Sequence, residues 1–206
     1  MNDVINIKNQ DYILNRIKEE LLKQKSFILL LGKSGSGKSV LLQKLAKNFK
    51  NLKFNGIFKN KEEFEGFLKP YINKKENIVV FLDEISIYDN DFLELIRIYS
   101  DLNISFVLSS YKKPLIFKKE HFKSRIHFEF YLKELNLDEL RAYISDKFNI
   151  SLCKSDLKLI KKYYSANLRN IDKVIKSFKE FKNFFKNSKK ENYLLKLSLF
   201  ENNLLG

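Results

Sequence analysis

One run of eight residues limits what this chain can fold into: Gly32-Lys33-Ser34-Gly35-Ser36-Gly37-Lys38-Ser39 satisfies G-x-x-x-x-G-K-[ST] without a mismatch. Phe27-Ile28-Leu29-Leu30-Leu31 precedes it, with the length and apolarity of a buried strand. Val40-Leu41-Leu42-Gln43-Lys44-Leu45-Ala46-Lys47 follows it with helical spacing. Strand, glycine loop and helix in that order predict a phosphate-binding loop running from Gly32 to Val40. Gly32, Gly35 and Gly37 are expected to adopt positive φ, so that consecutive N–H groups wrap phosphates at a helix N-terminus. Lys38 then supplies a charge to the β and γ oxygens, and the Ser39 hydroxyl an oxygen ligand for Mg²⁺.

A second apolar run, Ile78-Val79-Val80-Phe81-Leu82, ends in Asp83-Glu84. Its β-branching suits a strand buried on both faces, and in open α/β sheets ligands collect at the carboxyl ends of strands. From that position Asp83 can hold Mg²⁺ through its water shell, and Glu84 can orient the water that attacks the γ-phosphate. Ile104–Leu108 is another buried strand, closed by Ser109-Ser110, and Ile126–Leu132 a further one. Lys53 to Phe58 reads as a short strand. Ile13, Leu14, Ile17, Leu21 and Leu22 form a helical stripe ahead of the first strand, and Phe64, Phe67, Leu68 and Tyr71 another that Pro70 perturbs. Asp89 or Asn90 is positioned to cap a helix burying Phe92, Leu95, Ile96 and Tyr99. Strands alternating with helices predict an α/β fold, a P-loop parallel sheet flanked by helices. From Glu134 onward the pattern is helical, so residues 1–133 read as the nucleotide-binding core and 134–206 as a small all-helical lid.

A chain of 206 residues with 44% hydrophobic content accommodates that core and little more. One cysteine, Cys153, excludes an internal disulfide framework, suits a reducing cytosol and reads as a small packing residue. Met1 to Glu20 lacks the pattern of a signal peptide, and no apolar stretch has the length to span a bilayer. His121 and His127 lack metal-ligand spacing and read as structural. The net charge of +14 comes from 24 basic and 16 acidic residues over 1–133 and from 15 and 9 over 134–206, so it is spread along the chain. Only five of the basic residues are arginines, whereas specific base readers lean on arginine. Affinity for backbone phosphates or an anionic membrane stays open on charge alone. Ile171, Val174, Ile175, Phe178, Phe181 and Phe185 form an apolar face opposite Lys173, Lys176, Lys179, Lys182 and Lys186, a basic amphipathic helix that could lie on a membrane or on backbone phosphates and whose apolar face is expected to pack the lid. Tyr193 to Leu205 reads as a docking tail.

These motifs, in this order, resemble those of the AAA+ ATPases, in particular their smaller bacterial members. Gly32–Ser39 is similar to Walker A and Ile78–Glu84 to Walker B. The resemblance implies that Ile104–Leu108 is the sensor-1 strand, with Ser109 or Ser110 near the γ-phosphate. It implies that Arg125, in Ser124-Arg125, reaches a neighbouring subunit's nucleotide. Leu135-Asn136-Leu137-Asp138-Glu139-Leu140-Arg141-Ala142-Tyr143-Ile144 resembles the opening of the family's lid, and Asn167-Leu168-Arg169-Asn170-Ile171 its sensor-2 motif, with Arg169 as the arginine. Glu84, Lys38, Arg125 and Arg169 would form the catalytic set, with ATP and Mg²⁺ as ligands.

Other P-loop classes lack their markers here: there is no L-S-G-G-Q-like signature, no arginine-rich lid and no N-K-x-D guanine reader. The resemblance implies a cytoplasmic protein, peripheral at the inner membrane if it serves a membrane machine, and an ATP-dependent homo-oligomer. Its client is left open between a protein partner in a secretion, pilus-like or DNA-uptake machine and DNA in replication or transposition. A nucleotide-gated scaffold with little turnover is a third reading, which Glu84 argues against.

Overall fold

The computed structural model describes residues 7–49, 51–52, 58–72, 78–164, 167–186 and 188–204. Its contacts divide the chain into two compact units, one of Tyr12–Gly32 and Gly37–Leu132, the other of Met1–Asp11, Lys33–Ser36 and Lys133–Gly206.

The first unit is built on a parallel sheet of five strands in the order β2-β3-β4-β1-β5, from β1 (Phe27–Gly32), β2 (Asn51–Leu52), β3 (Ile78–Leu82), β4 (Ile104–Ser110) and β5 (Phe128–Leu132). β1 lies between β4 and β5, with Leu29 opposite Leu108 on one side and Glu129 on the other. A strand so placed is buried on both faces, and its alternation sorts the two cores. Phe27, Leu29 and Leu31 join Phe106, Leu108 and the helical residues Phe64 and Leu68 of α3 (Lys61–Leu68) and Phe92 and Ile96 of α4 (Asn90–Ser100). Ile28 and Leu30 turn the other way, against Ile13, Ile17 and Leu21 of α1 (Lys8–Lys23) and Leu41, Leu42 and Leu45 of α2 (Lys38–Ala46).

Local signals fix the helix starts. The Asp89 side chain accepts from Phe92 N–H at 2.7 Å, so Asp89 and not Asn90 caps α4. Asn60 caps α3, which passes into a 3₁₀ turn over Lys69–Tyr71, where Pro70 lacks the N–H that an α-helix would use. The strand expected over Lys53–Phe58 lies outside the described residues apart from Phe58, and the strand seen near it is β2. The fourth strand extends two residues past Leu108, taking Ser109 and Ser110 into the ladder opposite Leu30 and Leu31. The fifth begins at Phe128 instead of Ile126, after the short helix α5 (Glu120–Lys123). His127 Nδ1 accepts from Phe27 N–H at 3.1 Å, and His121 pairs with Glu94 at 2.8 Å.

The second unit gathers α6 (Leu137–Phe148), α7 (Lys154–Tyr164), α8 (Leu168–Phe184) and α9 (Glu191–Leu204) around Leu140, Ile144, Leu157, Val174, Phe178 and Leu195. Asn136 and Glu139 form a reciprocal capping box that starts α6. Tyr143 donates its hydroxyl to Asp172 at 2.6 Å, and Lys147 bonds to both, tying α6 to α8. Burial, and next the hydrogen bond to Asp172, push the Tyr143 phenol well above its ordinary pKa. Two expectations are corrected here. The segment read as a docking tail is α9, with Leu194, Leu195 and Leu199 buried in the lid's own core. Cys153 is exposed instead of packed, and its thiol donates to Asp156 at 3.0 Å. Among the described residues, no helix is long and apolar enough to cross a membrane.

Phe106, fully buried at the centre of the sheet, tests this core. Phe106→Ala is expected to lower unfolding free energy by about 3–5 kcal/mol in urea denaturation, by lost transfer energy and the cavity left behind.

Candidate functional site

Parallel strands leave the sheet at the same edge, and the motif residues lie there. β1 ends at Gly32 and α2 opens at Lys38, so the intervening loop reverses direction within five residues. Gly35 (φ 73°) and Gly37 (φ 99°) take the left-handed backbone that side chains resist. Gly32 does not: contrary to expectation it keeps strand geometry, paired with Leu132. No side chain caps the first turn of α2, which carries Ser39 and Val40, both exposed. Its N–H groups are thereby kept for another acceptor. The Ser36 hydroxyl is buried and has no hydrogen-bond partner among the described residues. Such an orphan fits a loop built to meet an oxyanion.

Lys38 is 6% exposed, and its ammonium donates to the Gly32 carbonyl at 2.7 Å. Burial lowers its pKa, opposed by the charges of Glu84 and then Asp83. Those acids stand where β3 leaves the sheet. Leu82 lies opposite Leu108, which puts Asp83 beside Ser109. The Ser109 hydroxyl donates to Asp83 Oδ1 and accepts from Glu84 N–H at 3.1 Å. Glu84 N–H also reaches Asp83 Oδ1 at 3.1 Å. Glu84 itself has φ 49° and ψ 59°, a left-handed conformation that costs a side-chain-bearing residue about 1–2 kcal/mol. Its carboxylate accepts from Ser86 Oγ and from Tyr111 N–H at 3.3 Å.

This arrangement separates the two serines. Ser109 is bonded into the acid turn, whereas the Ser110 hydroxyl is buried with no partner among the described residues. Ser86 and Tyr111 were not legible as part of the turn, because a serine two residues beyond an acid and a main-chain N–H carry no motif. Among the described residues no group of three or more His, Cys, Asp or Glu forms a metal cluster. One carboxylate and one hydroxyl, Asp83 and Ser39, match a Mg²⁺ that keeps most of its shell as water and phosphate oxygen.

The remaining predicted residues lie elsewhere. Arg125 precedes β5 and Asp101 precedes β4, so both sit at the amino edge of the sheet, away from Lys38. There the Arg125 guanidinium holds Asp101 bidentately, at 2.9 and 3.1 Å, and donates to the His121 carbonyl at 2.8 Å. The hydrogen bond from Arg125 holds the Asp101 carboxyl below the usual carboxylate range. Arg169 is exposed in the first turn of α8. The preceding residue, Leu168, donates its N–H to the Gly35 carbonyl at 2.9 Å, which places that turn against the tip of the loop. Lys33 pairs with Glu134 at 2.6 Å, and Ser34 is exposed.

Residues 24–141, more than half of the chain, match the family described as AAA domain. The chain belongs to the AAA domain family. It is thus a P-loop ATPase domain, and ATP is the nucleotide the family implies. Solved structures share the fold of this AAA domain at low identity. Thermotoga maritima RuvB, a Holliday junction branch migration motor, is 18% identical with a TM-score of 0.66, over 95% of this chain and 69% of that one. Cdc6p from Pyrobaculum aerophilum is 12% identical with a TM-score of 0.64, over 89% and 65%. A chain of the E. coli MS115-1 HORMA:CdnC:Trip13 complex is 10% identical with a TM-score of 0.62, over 91% and 87%. No curated protein matches in sequence.

The AAA domain's loop tip has a second reason for glycine at 35. A Cβ there would lie 2.1 Å from Asn167 Oδ1, inside any permissible contact. Gly35→Ala is therefore expected to destabilise the chain by more than the roughly 1–2 kcal/mol of left-handed alanine alone. In urea melts, Gly35→Ala should cost less in an Asn167→Ala background than in the parent, a comparison in which the cap that Asn167 gives Asn170 N–H is absent from both arms.

Proposed function

We propose that this AAA domain binds ATP with Mg²⁺ at the loop Gly32–Val40 and hydrolyses it, using the cycle as a switch for a partner. The observation that carries the reading is the buried Lys38 ammonium beside Asp83 and Glu84, at the edge where the uncapped turn of α2 begins. In this reading the loop N–H groups, Lys38 and Ser36 hold the phosphates, and Ser39 and Asp83 hold the metal. When bound, Mg²⁺ neutralises charge on the β and γ oxygens. Glu84 orients and deprotonates the attacking water, and the hydrogen bonds from Ser86 and Tyr111 fix its carboxylate. Ser109 orients Asp83 as the sensor, and Arg169 contacts phosphate from the turn of α8 beside Gly35. The core and lid are proposed at residues 1–133 and 134–206.

Arg125 is proposed to act in trans. Its place at the amino edge of its own sheet leaves a neighbouring copy's nucleotide as its target, and reaching it requires exchanging Asp101 for phosphate. In this reading the protein forms an ATP-dependent homo-oligomer, and the motif resemblance supports a cytoplasmic location. For the client, the motif resemblance supports a protein partner in a secretion, pilus-like or DNA-uptake machine at the inner membrane. A DNA client is favoured by the net charge of +14 and by the shared fold with RuvB.

Lys38→Ala is expected to abolish ATP binding in a fluorescent-nucleotide titration. Glu84→Gln should still bind while its turnover falls by about 10²–10⁴-fold, the usual contribution of a general base. Light scattering of Glu84→Gln should show a mass that rises with Mg-ATP. A monomer with ATP bound would remove the trans role of Arg125, and normal binding by Lys38→Ala would remove the site.

A further inference from the structure

Two main-chain carbonyls at the tip of the loop are held from outside it. Leu168 N–H donates to Gly35 O at 2.9 Å, and the Gln10 side chain, in the first turn of α1, donates from Nε2 to Ser36 O at 2.9 Å. A loop that grips an anion with N–H groups turns its carbonyls the opposite way, and carbonyls drawn from water need donors. The peptide unit is planar and trans, so fixing one C=O fixes the direction of the N–H that shares its plane. The Ser36 carbonyl shares its plane with Gly37 N–H, the donor just ahead of Lys38. The neighbouring Gly35 carbonyl shares its plane with Ser36 N–H, which is already spent on Lys33 O at 3.2 Å. Of these two pinned peptides, the one held by Gln10 is the one whose N–H is not given to Lys33 O.

Resting on the reading that this loop takes ATP, we propose that Gln10 is a positioning residue of the phosphate loop: its amide pins the Ser36–Gly37 peptide so that Gly37 N–H is presented to phosphate before nucleotide arrives. Gln10 lies outside the G-x-x-x-x-G-K-[ST] run and outside residues 24–141. It acts on the loop and not on the base. Losing it therefore weakens every ligand that carries the polyphosphate, whether or not a base is attached.

Gln10→Met keeps the length and neutrality of the side chain and removes the donor. In the full chain with Mg²⁺, it is expected to weaken ATP binding about three- to tenfold, the range one neutral hydrogen bond supplies. Tripolyphosphate, used as a competitor, should lose the same factor, and the melting midpoint without ligand should fall by a few degrees only, the size that one hydrogen bond carries in a chain of this length. Gln10→Ala carries the same expectation if the methionine variant folds poorly. Unchanged ATP affinity overturns the proposal, as does a loss seen with ATP but not with tripolyphosphate, which would assign Gln10 to the base. Lys38→Ala in parallel keeps the two readings apart. If it binds ATP normally, the nucleotide site itself is wrong; if it fails to bind while Gln10→Met binds as the parent does, only the role of Gln10 falls.

Discussion

Parallel pairing of β1 with both β4 and β5 is the constraint from which the rest of the core follows. A strand flanked on both edges and covered on both faces has no room for charged side chains, so its charged chemistry is confined to its ends. Every strand in this sheet points the same way, and the ends coincide. The acids after β3 and the serine near the end of β4 are therefore brought together by strand direction, and the Ser109–Asp83 hydrogen bond then fixes them. The same rule sends Arg125 and Asp101, which precede their strands, to the far edge, where they hold each other.

Electrostatics at the carboxyl edge is balanced by proximity. Burial opposes the charge on Lys38, and the two acids beyond β3 favour it. The acids are themselves held: Asp83 by Ser109, Glu84 by Ser86 and Tyr111. Each charged group at this edge thus has its geometry fixed before any ligand arrives, which is what a preorganised site requires. The lid uses polar groups differently. Tyr143, Asp172 and Lys147 satisfy one another between α6 and α8, and such a network specifies one packing of two helices that apolar contact alone would leave degenerate.

Most of this was readable from residue order because the signals are local. The length and apolarity of Phe27–Leu31 marked a buried strand, the glycine run located the loop, and Asp83-Glu84 marked where the second buried strand stops. What escaped depends on contacts made across the chain. Ser109 and Ser110 look like a strand terminator, yet pairing with Leu30 and Leu31 keeps them in the ladder. Tyr193–Leu205 has the apolarity of a free docking segment, and only the lid's own packing shows that Leu194, Leu195 and Leu199 complete a core already present. Gln10 acts on a main-chain carbonyl, an acceptor that every residue supplies, so no residue type at position 36 announces it. The crowding of Gly35 by Asn167 is equally silent, because the positive φ already explains the glycine.

Glu84 occupies the left-handed region at the head of the acid turn. Glycine at that position would relax the backbone and leave a sturdier chain with no carboxylate to use. At this one residue robustness and reactivity are opposed, so a programme that ranked variants by melting temperature alone would favour discarding the acid on which turnover is proposed to depend.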